Sequence, residues 1–439
     1  MSIATIDKTV AELVPLLTQL IKEIHNKNLS DSEVSNLFTQ FVLKKQTGMN
    51  NPEMNTLMNK IVGEIDQNNL PNLFGQLIDK KKKSGISDSE LTDFLNQILH
   101  NTLINTKKNS LTAPEVSSLW TQYMSDSLSI CVFKYFLNIV EDKELQPILE
   151  SAFQASQKHI TQITSFFKEA NFQIPIGFTK NDVNQNAPRL FTDGFLAVYT
   201  EIMTIHGLTA YSLAITVCER EDLRNYFFEC CATTKELLNK IVKYRQAKGQ
   251  YSHAPSIPSL KNVEFVEKTG LISNLLGNPR PLNASEINNL FFNTKKNTLN
   301  KALATAFSQV AETDDVRNFA LFVVEESARH IDQFNSILDK EGLITPHAWD
   351  IGVTNSTVSP FSDKLMMSHL AFLENAALAY YGSGLSSSMR PDIVLIYDKI
   401  FKDIRSEGIK IYNIMVNHGW LEKQPEAIDR KSLAEGAKR

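Results

Sequence analysis

Apolar residues in the C-terminal three-quarters of the chain recur at steps of three and four, never of two, which is the period of an amphipathic helix rather than a strand. One stripe runs Leu145, Leu149, Ala152, Ser156, His159, Ile163, Phe167, and another runs Val316, Ala320, Val323, Ser327, His330, Phe334, Leu338. Phe191, Phe195, Val198, Ile202 and Ile205 form a third, and Ile393, Tyr397, Ile400, Ile404, Ile411 and Met415 a fourth. The pattern predicts an all-α fold. Four long helices with short connections would make an antiparallel bundle around one buried seam.

The stripes match in pairs because the chain is duplicated. Residues 111–175 align with 282–346 without a gap, at an offset of 171 that lays His159 on His330. One residue is then lost and the offset becomes 170: Phe191, Asp193, Tyr211, Arg220, Asp222 and Gly249 meet Phe361, Asp363, Tyr381, Arg390, Asp392 and Gly419. A smaller duplication, at an offset of 57, lays LVPLLTQLIK (13–22) over LPNLFGQLID (70–79). The expected organisation is a duplicated helix-loop-helix domain (1–106), a first bundle (107–251), a Pro-rich linker (252–281), a second bundle (282–421) and a polar, frayed tail (422–439). In the N-terminal domain, Leu13, Leu16 and Leu20 should pack against Leu70, Leu73 and Leu77.

One motif marks four helix starts: Leu29-Ser-Asp-Ser-Glu33, Ile86-Ser-Asp-Ser-Glu90, Leu111-Thr-Ala-Pro-Glu115 and Leu282-Asn-Ala-Ser-Glu286. Ser30, Ser87, Thr112 and Asn283 are placed to cap, the Glu three residues on can reach back to the cap's own N–H, and flanking apolar residues supply a hydrophobic staple. Glu115 and Glu286 are therefore read as capping residues rather than ligands.

Composition narrows the function classes. With 439 residues, 42% of them hydrophobic, the chain can bury several cores, and a net charge of −4 supplies no field for nucleic acid. The basic run Lys80–Lys83 reads as a solvated helix end. No stretch approaches the roughly 20 apolar residues of a membrane span, and the N-terminus lacks a secretory pattern. Cys131, Cys218, Cys230 and Cys231 have no metal-ligand spacing and read as small core or boundary residues in a reducing cytoplasm.

Catalytic motifs are absent. There is no Walker loop, GxSxG elbow or HExxH. Asp79–Glu90 has the length of an EF-hand loop, but Lys81 and Lys83 stand where oxygen ligands belong, so no calcium is expected. A di-iron bundle needs Glu-x-x-His on two helices, and that spacing occurs nowhere. The nearest approach is Glu326 with His330, four apart, and Ala155 replaces that Glu in the first repeat. No catalytic residue, cofactor or metal is assigned, and His159, His330 and Glu326 are the weak metal candidates that remain. Both histidines lie on core stripes, so each is expected to be buried, neutral at pH 7 and hydrogen-bonded to a neighbouring helix. Arg220-x-Asp222 and Arg390-x-Asp392 are expected between the third and fourth helices, with Arg on the last carbonyls of one and Asp at the first amides of the next.

The phrases LTAPEVSSLWTQYMSDSLSICVFKYFLN (111–138), FVEKTGLISNLLGNPRPLNASEI (265–287), PFSDKLMM (360–367) and NHGWLEKQPEAIDRKSLAEG (417–436) resemble a tandem-repeat family of sporulating Firmicutes catalogued as domain of unknown function 3231. The resemblance implies ferritin-like bundles akin to coat-F-type spore coat proteins, with no catalytic residues to carry over. It implies a non-enzymatic structural or interaction protein connected with sporulation or the spore coat, cytoplasmic and mother-cell or spore associated. Protein partners or self-association are expected, with no nucleic acid, no membrane span and an unknown small-molecule ligand. The alternative is a ferritin-like bundle that binds a metal or small ligand through inward polar residues.

Overall fold

The computed structural model describes residues 110–259, 261–263, 265, 279–346 and 352–436. The expectations for 1–106, including the Leu13 and Leu70 packing, the caps at Ser30 and Ser87 and the absence of calcium, lie outside these residues.

Each repeat starts at its expected cap. Thr112 precedes α1 (Ala113–Ile139), and Asn283 precedes its counterpart α5 (Ala284–Val310). The first repeat continues through α2 (Gln146–Glu169), a 3-10 turn (Lys180–Asp182), α3 (Asp193–Val217) and α4 (Glu221–Ala247). The second continues through α6 (Asp314–Lys340), α7 (Asp363–Ser387) and α8 (Pro391–Asn417), followed by a short α9 (Arg430–Gly436). Helix order is the same in both repeats, and the described residues contain no strand beyond two isolated bridges. Every residue of the α2 and α6 stripes is buried. These helices stop where the chain turns left-handed: Gly342 at φ 69° after α6, and in the matching place after α2, Asn171 at φ 52°. Asn is the commonest substitute for Gly in that conformation.

The connections are not all short. α1 and α2 form one hairpin and α3 and α4 another, but residues 170–192 join them by crossing the length of the bundle. The core clusters show it: α2 enters among Leu145 and Leu149 and leaves among Ile163 and Phe167, while α3 starts back beside the first pair and ends near the second. α2 and α3 therefore run in the same direction. Periodicity locates helices but says nothing about the path between them.

The two crossovers join the repeats. Val183 bridges Phe361 and Phe191 bridges Val353, both antiparallel. At the offset of 170 these two pairs are one pair written twice, as a two-fold axis between the repeats requires. Main-chain bonds reinforce them: Asn184 N–H to Pro360 O at 2.8 Å, Thr192 N–H to Gly352 O at 2.9 Å, and Thr354 N–H to Leu190 O at 2.9 Å. Tyr199 and His369 occupy equivalent positions and meet across the axis, Tyr199 Oη 3.1 Å from His369 Nε2. A continuous apolar core then runs from Leu128 and Phe136 of the first repeat to Phe307 and Leu370 of the second. Tyr199→Phe should cost about 1–2 kcal/mol of stability, because His369 Nδ1 already has no partner and the ring would lose its other one. Chemical denaturation checks this, and an unchanged midpoint would remove Tyr199 from the join.

Residues that the repeats share turn out to be ties between elements. Glu115 Oε2 accepts the Thr112 amide at 2.8 Å, as a cap should, and its Oε1 accepts the amides of Glu219 and Arg220 at 2.9 and 2.8 Å. Glu286 repeats this with the amides of Asn283, Met389 and Arg390 and adds Arg280 on both oxygens. Burial opposes its charge, yet Arg280 and these amides hold its carboxyl below the usual range. Asp193 and Asp363 likewise accept amides from the loop between the first two helices of their repeats. Beyond the second bundle, Glu422 seats on the first crossover by accepting the Ile176 and Gly177 amides at 2.9 and 2.7 Å, so the tail is anchored there rather than frayed from its start.

Candidate functional site

Half-way along each bundle the apolar packing is interrupted by a polar layer, and the two layers differ. In the first, His159 of α2 is 6% exposed and its Nδ1 lies 3.1 Å from Asp126 Oδ2 of α1. The Tyr211 and Tyr226 rings meet the imidazole edge-on. Burial works against a charged ring, but the Asp126 carboxylate and its hydrogen bond outweigh it and push the histidine up to about 10. The expected neutral ring is thus corrected to an imidazolium. The reason is an acid on a neighbouring helix that no spacing within α2 could reveal.

In the second layer the same histidine has different company. His330 of α6 is 3% exposed and meets Tyr381 edge-on, as His159 meets Tyr211. The position of Asp126 is taken by Asn297, which bonds Tyr381 instead at 2.7 Å. His330 Nε2, on the other side of the ring, has no hydrogen-bond partner. Burial, with the charges of Arg329 and Lys399, pushes it down to about 4. This ring is neutral as expected, but the expected bond to a neighbouring helix is missing.

Carboxylates surround it. Glu326 lies 3.9 Å away on the same helix, and Asp403 comes from α8. Arg329 pairs with both, reaching Asp403 Oδ2 at 2.7 Å. Deeper in the bundle Asn300 of α5 bonds Glu374 of α7 at 2.9 Å and Ser327 of α6 at 3.2 Å. Glu407 of α8, 1% exposed, hydrogen-bonds Glu374. Burial and the Glu374 charge push Glu407 up to about 9 and burial raises Glu374 as well, so the two carboxyls share a proton. Burial also raises Glu326, against the pull of Arg329. Of the three sequence candidates, Glu326 and His330 come together and His159 stands apart in the other bundle.

A cavity of about 10 Å³, room for a single water, lies where the layer meets the first repeat. His206 of α3 and Lys296, Asn297, Asn300 and Tyr381 of the second repeat line it. Lys296 sits over the Tyr380 and Tyr381 rings at 4.1 and 5.1 Å, and burial pushes its ammonium down to about 7. The described helices include none long and apolar enough to cross a membrane.

Each Arg-x-Asp pair bonds within itself, each Asp also accepts the first amides of the next helix as expected, and Arg390 reaches further to Glu341 Oε1 at 2.6 Å and Arg280 O at 3.0 Å. Arg220 is the N-cap residue of α4 and grips Asp222 with two bonds, at 3.1 and 2.7 Å, and Arg390 grips Asp392 likewise at 3.1 and 2.8 Å. The carbonyls at the end of α3 go to Arg224 instead, which bonds Cys218 O and Glu219 O. The expected Arg role belongs to a residue four positions further on.

Asp126, Asp403, Glu374 and Glu407 were missed by the sequence reading. A signal existed for Glu407: it falls between Ile404 and Ile411 on the α8 core stripe, where an acid is costly unless paired. Glu374 breaks the run of Leu370, Leu373 and Tyr381 in the same way.

A crystal structure of a putative spore coat protein from Bacillus halodurans C-125 is similar to 35% of this chain and 99% of its own, at 21% identity and a TM-score of 0.33. No curated protein matches. The family model described as "Protein of unknown function (DUF3231)" matches residues 99–263 and again 271–433, one match per repeat, and the chain belongs to that family.

Proposed function

We propose that the protein is a non-enzymatic structural or interaction protein connected with sporulation, a preassembled block of the spore coat or its surroundings. The observation that carries this reading is the join: two bundles in one chain close on each other through reciprocal crossover pairs, Val183 with Phe361 and Phe191 with Val353, around one shared core. A block of this kind presents two equivalent faces about a two-fold axis, which suits repeated contacts with itself or with other proteins. The acids and arginines that both repeats keep are spent on backbone amides and on each other, as a structural role requires. The connection with the spore rests on the resemblance to a family of sporulating Firmicutes.

The test is location and contact. A tagged chain in a spore-forming host should collect on the forespore, appear in coat extracts and cross-link to itself or to coat proteins. A chain found evenly in growing cells and missing from purified spores would overturn the reading.

A further inference from the structure

Glu326, His330 and Asp403 bring one ligand atom each within 4.8 Å of one another. Two come from adjacent turns of α6 and one from α8, so the cluster spans two helices. Three details set it apart from an ordinary ion pair. His330 Nε2 faces the carboxylates from a 3% exposed ring and bonds nothing. Glu407, one turn beyond Asp403 and 1% exposed, also has an oxygen with no partner. And one nitrogen of Arg329 bridges the two carboxylates, so their oxygens already converge on a point that holds positive charge. The Arg329 side chain is 39% exposed.

We propose that Glu326, His330 and Asp403 form a site for a single divalent transition ion, filled when Arg329 swings out. One imidazole nitrogen with two carboxylate oxygens suits zinc, manganese, iron(II) or cobalt(II), whereas calcium and magnesium take oxygen alone. The ion supplies the partner that His330 lacks and ties α6 to α8. The site belongs to the second repeat only. Its matching positions in the first are Ala155, His159 and Thr233, and the His159 ring is already engaged by Asp126.

The test uses the full chain, stripped with a chelator, then titrated with cobalt(II) by visible absorption and with zinc by calorimetry. One equivalent should bind per chain, and zinc should raise the melting temperature, since an ion that binds only the folded state stabilises it. His330→Gln and Asp403→Asn should each weaken binding at least about tenfold, as losing a ligand does, while His159→Gln leaves it unchanged. Arg329→Gln should tighten binding by removing the competing cation. Should His330→Gln fail to fold, Asp403→Asn alters a partly exposed side chain and still decides. No binding, or binding unaltered by both ligand variants, overturns the proposal.

Discussion

Glu201→Ala should lower the unfolding free energy by about 3–5 kcal/mol, because it strands two buried cations at once. Glu201 of α3 is 1% exposed and pairs through one oxygen with Arg245 of α4 and through the other with Lys295 of α5. The Arg245 side chain is fully buried and that of Lys295 nearly so, and both cations lie near the Tyr251 ring, at 5.7 and 5.0 Å. Tyr251 is the last residue of the expected first bundle, so the chain is still packed against it where it leaves α4. Lys295 comes from the second repeat, which makes this triad a charged tie across the join. The double variant Glu201→Ala/Lys295→Met should be more stable than Glu201→Ala alone, since it removes one stranded charge. Urea denaturation of the parent, both single variants and the double measures this. Simple addition of the two single losses would show that the pair is not coupled.

A pH effect belongs to the first bundle. His159 stands at about 10 in the fold against an ordinary 6.5, so the folded protein binds the ring's proton more tightly than the unfolded chain does. The stabilisation is therefore complete below about pH 6.5 and fades as pH rises towards 10, by an amount on the order of a few kcal/mol. Other groups titrate in the same window, so the readout is the stability difference between the parent and His159→Gln at pH 6, 8 and 9.5. That difference should shrink steadily with pH. Asp126→Asn should cost about 3–5 kcal/mol at pH 6 by leaving the ring without its counter-charge, and should flatten the pH dependence. A constant difference across the range would mean that His159 is neutral in the fold after all.

Much of this was legible along the chain, and the reason is local. Stripes spaced three and four placed the helices, and the caps at Thr112 and Asn283 placed the start of each repeat. Glu115 and Glu286 were recognised as capping residues, but half of their role was invisible: the second carboxylate oxygen reaches amides more than a hundred residues away. For the Arg-x-Asp pairs the acid was placed rightly, at the first amides of the next helix, and the arginine wrongly, because whether Arg220 turns to a helix end or to Asp222 depends on side-chain directions in the closed loop.

The sequence by itself determined what depends on neighbours three or four residues apart: an all-α chain, its duplicated bundles, their starts and the burial of His159 and His330. The tertiary structure alone decided what depends on proximity between distant segments. It routed 170–192 across the bundle, closed the two repeats about an axis at Tyr199 and His369, and set Asp126 beside one histidine and Asp403 beside the other. Identical periodicity therefore gave two equivalent rings opposite charge states. A buried ring's proton depends on the charges facing it from other helices, whose register no helical period records.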